Sequence, residues 1–117
     1  MAPYRICPLG GHVDHQGGKV LGRTINAYSL LAFRPTRETK IELISLDYPG
    51  QISIDYAAQP EADLQSWGRY AHGAVYALQQ KYPLRFGFNG VVCGTLPGGG
   101  LSSSASVGLA YLHAISA

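Results

Sequence analysis

The chain has 117 residues, 46% of them hydrophobic and 14% charged, which suits one domain with its own core and excludes a disordered segment. Nine basic against seven acidic side chains leave a net charge of +2, which excludes the basic footprint of a nucleic-acid binder. Cys7 and Cys93 are too few for a disulfide framework or a thiolate metal site, and no charged leader or bilayer-length apolar stretch is present, so a cytoplasmic chain without membrane partners is expected.

Tyr4 to Cys7 is expected to form a short strand. Pro8 to Gly18 follows as a loop, with Gly10, Gly11, Gly17 and Gly18 around His12, Asp14 and His15, and Arg5 just ahead of it. Loops on a rigid scaffold are where binding groups concentrate. Lys19 to Gly22 resumes an extended segment, and Asn26 to Arg34 reads as a strand ended by a turn at Pro35-Thr36-Arg37. In Lys40 to Leu46 the apolar register shifts between Ile41/Leu43 and Ile44/Leu46, which implies a strand either buried on both faces or bulged. Asp47-Tyr48-Pro49-Gly50 is a turn, and the alternation of Ile52, Ile54 and Tyr56 predicts a half-exposed strand. Short links between these strands favour an antiparallel meander. Pro60-Glu61-Ala62-Asp63 reads as a helix start, and Leu64, Trp67, Ala71, Val75, Leu78 and Tyr82 mark one face of a helix through about Lys81, ended by Pro83. Phe86, Phe88 and Val91-Val92-Cys93 form a last strand. The order of elements predicts an α+β fold.

That strand leads into Leu96-Pro97-Gly98-Gly99-Gly100-Leu101-Ser102-Ser103-Ser104-Ala105-Ser106. Three successive glycines let backbone approach a ligand closely. Behind them Val107, Ala110, Tyr111 and Ala114 have helical spacing, and the serines can cap that helix. A helix N-terminus facing a glycine turn is an anion site, here read as a phosphate cradle with a serine hydroxyl in reach of a metal. A Gly/Ser connector ahead of a helix is the alternative. No Lys follows the glycines, so this is not a Walker A loop. The helix reaches Ala117 without a cap or glycine exit, and the chain is expected to continue.

Together the two loops resemble those of the GHMP kinases, the group of galactokinase, homoserine kinase and mevalonate kinase. The family's second motif runs Pro-x-Gly-x-Gly-Leu-Ser-Ser-Ser-Ala, and Pro97 to Ala105 matches it with one residue fewer between the proline and Leu101. Galactokinases carry Arg-x-Asn-x-x-Gly-Glu-His-x-Asp-Tyr-x-x-Gly near the start, matched here by Arg5, Gly10, His12, Asp14 and Gly18. Trp67-Gly68-Arg69-Tyr70-Ala71-His72-Gly73 is similar to their Trp-x-x-Tyr-x-x-Gly run. Three positions depart: the asparagine becomes Cys7, the tyrosine His15, and the sugar-facing glutamate Gly11.

The resemblance implies the amino-terminal domain of a GHMP kinase over residues 1–117, a mostly antiparallel sheet with helices packed on it, without the carboxyl-terminal domain. It implies ATP and Mg²⁺ as cofactors and a sugar or sugar acid as substrate. Arg5 would lie at the reacting hydroxyl, and His12 and Asp14 would bind sugar hydroxyls, although an Asx turn is an alternative for Asp14. Pro97, Gly98, Gly99, Gly100, Leu101, Ser102, Ser103 and Ser104 would wrap the ATP phosphates. Ser104 would be a magnesium ligand or a helix cap. Trp67 would flank the adenine, or serve as a core aromatic. The catalytic aspartate and acidic metal ligand of galactokinases follow the second motif, so the 117 residues alone are expected to be inactive. Gly11 removes a charge that would repel a carboxylate on the sugar's sixth carbon, and the first loop is most similar to that of galacturonokinases, which phosphorylate the anomeric hydroxyl of galacturonic acid. Galactokinase and a non-catalytic sugar sensor of the same fold are the alternatives.

Overall fold

The computed structural model describes residues 1–58, 67–96 and 103–117, and Asp14 through its backbone. In chain order the elements are β1 (Ala2–Leu9), β2 (Leu21–Thr36), β3 (Lys40–Ser45), β4 (Gln51–Asp55), α1 (Arg69–Gln79), β5 (Gly87–Gly94) and α2 (Ser103–Ser116), with a 3-10 turn at Asp14–Gln16. The fold is α+β. One five-stranded sheet has the order β1-β2-β5-β3-β4. Three of its pairings are antiparallel, and β3 runs parallel to β5.

The sheet is therefore not the meander expected from the short links. Parallel neighbours need a crossover, and the connection from β4 through α1 supplies one, returning β5 between β2 and β3. The apolar register of β3 is also simpler than expected. Ile41, Leu43 and Ser45 are buried while Ile44 is half exposed, so the strand alternates without a bulge and Ile44 faces outward. The two extended segments expected before and after Arg23 are one strand, β2. Register shifts against β1 between Pro3 and Arg5, and between Ile6 and Leu9, absorb its length. Pro35 continues β2 instead of ending it, because β1 pairs only as far as Ser29 and leaves a free edge where a missing N–H costs nothing.

Ile41, Leu43, Ile54, Phe88 and Val92 on the inner face of the sheet form one core with Ala71, Ala74 and Val75 of α1 and Ala110, Tyr111 and Ala114 of α2. Leu43 is 0% exposed, and removing such a side chain from water contributes ~1.5–3 kcal/mol. The alanines on both helices let α1 and α2 pack side by side, and α2 lies across β1 and β2. Ser106 is buried with them. Its hydroxyl donates to Ala2 O at 2.6 Å and accepts from Ser29 N at 3.3 Å, which ties the first turns of α2 to two strands. The expected helix start at Pro60 to Asp63, and Leu64, lie outside the described residues. Trp67 stands in the turn before α1, not on its face, and the helix ends at Gln79, where Lys81 N and Tyr82 N both bond Leu78 O ahead of Pro83.

Candidate functional site

Because β3 and β5 are parallel, their carboxyl ends lie side by side, paired last at Ser45 and Val92. The chain leaves both ends toward the same side, the usual place for a ligand crevice in a sheet with parallel strands. A cavity of about 740 Å³ opens there. One wall is the turn after β3, with Asp47, Tyr48 and Pro49. Beside it stand Gly94, Thr95 and Leu96 at the end of β5. Ser103, Ser104 and Val107 of α2 close a third side, and Trp67, Arg69 and Tyr70 a fourth. Tyr4 and Tyr111 reach it from beneath.

Polar contacts hold these walls. The Ser45 hydroxyl accepts from Asp47 N at 3.1 Å and Tyr48 N at 3.2 Å, and Leu46 N donates to Val92 O at 2.9 Å. Gly94 N donates to Asp47 Oδ2 at 2.6 Å. The Trp67 indole N–H donates to Pro49 O at 3.2 Å, joining the start of α1 to the turn after β3. Arg69 bonds the Tyr70 hydroxyl at 2.8 Å. The hydroxyl of Tyr111, buried beneath, is pushed above its ordinary pKa by desolvation, so it stays a neutral phenol. Ser103 and Ser104 lie in the first turn of α2, where helix N–H groups lack intrahelical acceptors and the dipole is positive. The described walls thus join aromatic surface, one cation at Arg69 and a helix N-terminus, a combination suited to a ligand with a flat ring and an anionic group.

The early loop is built separately. Val13 N donates to Gly10 O, and both Gln16 N and Gly18 N donate to Val13 O, winding residues 10–18 into a tight coil. Gly10 has φ +79°, and a Cβ there would run into Lys19 O, so only glycine fits. Gly11 is different. Its φ is ordinary, and an added Cβ would stand 3.2 Å from Cys7 Cβ with little else near. A Cβ at Gly22 would stand 3.2 Å from Arg5 Cδ and 3.7 Å from Cys7 Sγ. Two bare glycines thus flank Cys7, with the Arg5 side chain alongside.

No protein-family model matches the chain. Over an aligned span of 134 residues it is 42% identical to the galacturonokinase of Arabidopsis thaliana, covering 98% of this chain and 32% of the relative. Among solved structures, Lactococcus lactis galactokinase complexed with galactose superposes with a TM-score of 0.81 at 30% identity, covering 94% of this chain and 29% of that one. This chain belongs to the GHMP kinase family. Methanococcus jannaschii mevalonate kinase shares the fold, with a TM-score of 0.78 at 21% identity over 98% of this chain and 38% of that one. The GHMP kinase relatives are about three times as long as the span described.

Against this frame the expected site residues fall into two groups. Trp67, Ser103 and Ser104 line the cavity. Pro97, Gly98, Gly99, Gly100, Leu101 and Ser102 lie outside the described residues. Arg5, Gly11 and His12 do not line the cavity. They are exposed on β1 and the loop after it, with Asp14 in the 3-10 turn, and Tyr4, one residue before Arg5, is what connects that arm to the cavity. Sequence reasoning missed Asp47, Tyr48, Arg69 and Thr95 as wall residues. An acid just past a strand was the available signal at Asp47, but its use depends on β3 lying beside β5. Among the described residues no cluster of three or more His, Cys, Asp or Glu is placed to hold a metal ion. No helix among them is long and apolar enough to cross a membrane.

Proposed function

We propose that this chain is the amino-terminal part of an ATP-dependent sugar kinase that phosphorylates the anomeric hydroxyl of galacturonic acid. The observation that carries the reading is the cavity between the end of β5 and the first turn of α2, in a chain 42% identical to a galacturonokinase. The nucleotide's ring would lie toward Trp67 and Tyr70, and its phosphates toward the N-terminus of α2. Mg²⁺ fits this set as a nucleotide-borne ion, since it keeps waters and phosphate oxygens and needs few protein ligands. Ser104 would supply one hydroxyl oxygen to it, and when bound the ion neutralises phosphate charge. His12 and Asp14 would hold sugar hydroxyls, and Arg5 would offset charge developing on the attacking oxygen.

The acid preference follows from Gly11. A glutamate there would face a substrate carboxylate at about 4 Å, costing ~4 kcal/mol at an effective dielectric near 20. Gly11 leaves that space empty, and the Arg5 side chain lies on the other flank of Cys7, where a guanidinium can meet a carboxylate in two parallel bonds. The test compares galacturonate and galactose as acceptors for the longer protein, with phosphate transfer from ATP as the readout. A higher kcat/KM for galacturonate is expected, and a clear preference for galactose would overturn the assignment in favour of galactokinase, which the structural likeness to the Lactococcus lactis enzyme supports as second reading. A protein that binds sugar without transferring phosphate would be a sensor.

A further inference from the structure

We propose that Asp47 is a positioning residue for the anion end of the cavity, acting through the backbone of Gly94; this rests on the kinase reading above. Asp47 follows β3 and is exposed at the cavity, yet its orientation is set from two directions. Its own N–H is held by the buried Ser45 hydroxyl at 3.1 Å, and its Oδ2 accepts Gly94 N–H at 2.6 Å, a short charge-assisted bond. Gly94 admits no side chain, because a Cβ would meet the Tyr4 hydroxyl and stand 3.6 Å from Asp47 Oδ2. The next residue is gripped from the opposite side. Thr95 N donates to Tyr28 O at 3.0 Å, and its hydroxyl accepts from Tyr28 N at 2.8 Å. Beyond the glycine stretch, Ser106 fixes α2 to β1 and β2. The two flanks of the anion end are thus tied to the sheet, and Asp47 brings the turn after β3 into the same unit.

The charge of Asp47 has the wrong sign to attract a phosphate. Its use is as an acceptor for Gly94, and substitution separates the two properties. Asp47→Asn keeps an acceptor and removes the charge, while Asp47→Ala removes both. Trp67 is the single tryptophan and lines the cavity, so its fluorescence reads binding of Mg·ATP to the chain directly. Asp47→Ala is expected to raise the Kd about tenfold, within the range for a lost charged hydrogen bond, and Asp47→Asn to stay within about threefold of the unaltered chain or bind more tightly. Asp55→Ala is the control, because Asp55 also accepts a backbone N–H, from Ala57 at 3.0 Å, but lies away from the cavity. It should leave the Kd unchanged. Asp47→Ala binding as tightly as the unaltered chain, or Asp55→Ala weakening it equally, overturns the proposal. If the unaltered chain gives no response to Mg·ATP, the kinase reading is judged from phosphate transfer by the longer protein, and Asp47 from amide NMR signals alone. Shifts in Asp47→Ala that reach Thr95, Ser103 and Ser104 sustain the positioning role, and shifts confined to Gly94 overturn it.

Discussion

At Gly11 the physical question is whether a side chain could be accommodated, because the family's glutamate stands at this place in the motif. The backbone there is ordinary and the nearest obstacle is Cys7 Cβ at 3.2 Å, a contact relieved by a shift of a few tenths of an ångström. Gly11→Glu should therefore fold and restore the repulsion that the glycine removes. In the longer protein it is expected to lower kcat/KM for galacturonate relative to galactose by about a hundredfold, part of the ~4 kcal/mol of unscreened repulsion. Equal effects on both sugars would show that Gly11 serves only the shape of the loop. The motif made Gly11 readable from the sequence. Its placement on one flank of Cys7, with Gly22 and Arg5 on the other, was not readable, because it depends on how β1 and β2 are shifted past one another. A one-residue change in that register would turn Arg5 to the other face.

Among the elements, α2 is held to β1 and β2 by one buried hydroxyl in addition to its apolar packing. Ser106→Ala would leave Ala2 O and Ser29 N without their side-chain partner in the core, and is expected to cost about 1–3 kcal/mol in urea unfolding. In the sequence Ser106 looked like one more serine of a capping run, since nothing local distinguishes a hydroxyl that caps its own helix from one that reaches another strand. The β3–β4 hairpin is closed differently. Asp55 accepts Ala57 N–H and the Thr39 hydroxyl, and these bonds hold its carboxyl below the ordinary 3.8. A depressed folded pKa means stability that is present above the unfolded value and lost as pH falls through the folded one. Asp55→Asn should thus lower the melting temperature slightly near neutral pH and flatten its decline below about pH 4. An unchanged acid limb in the variant would show that the bonds to Ala57 and Thr39 do not stabilise the hairpin.

For the whole molecule, the walls of the cavity decide what the 117 residues can do by themselves. Asp47 is the one carboxylate among the described lining residues, and Gly94 N–H already occupies it. No other carboxylate among the described lining residues is available to deprotonate a sugar hydroxyl, so the isolated chain is expected to show no sugar-dependent ATP turnover in a coupled assay. Turnover above the background hydrolysis of ATP would refute this. Local patterns were enough for the sequence to specify most of its elements and its family: an apolar run marked β3, alternation marked β4 and β5, helical spacing marked α2, and two glycine-rich motifs marked the kinase type. These are properties of neighbours along the chain. The order of the strands, the parallel pairing of β3 with β5, and the meeting of Asp47 with Gly94 across 47 positions were decided only in three dimensions. They arise because one apolar face of the sheet must be covered by both helices at once, and no short stretch of sequence records which strand ends that packing brings together.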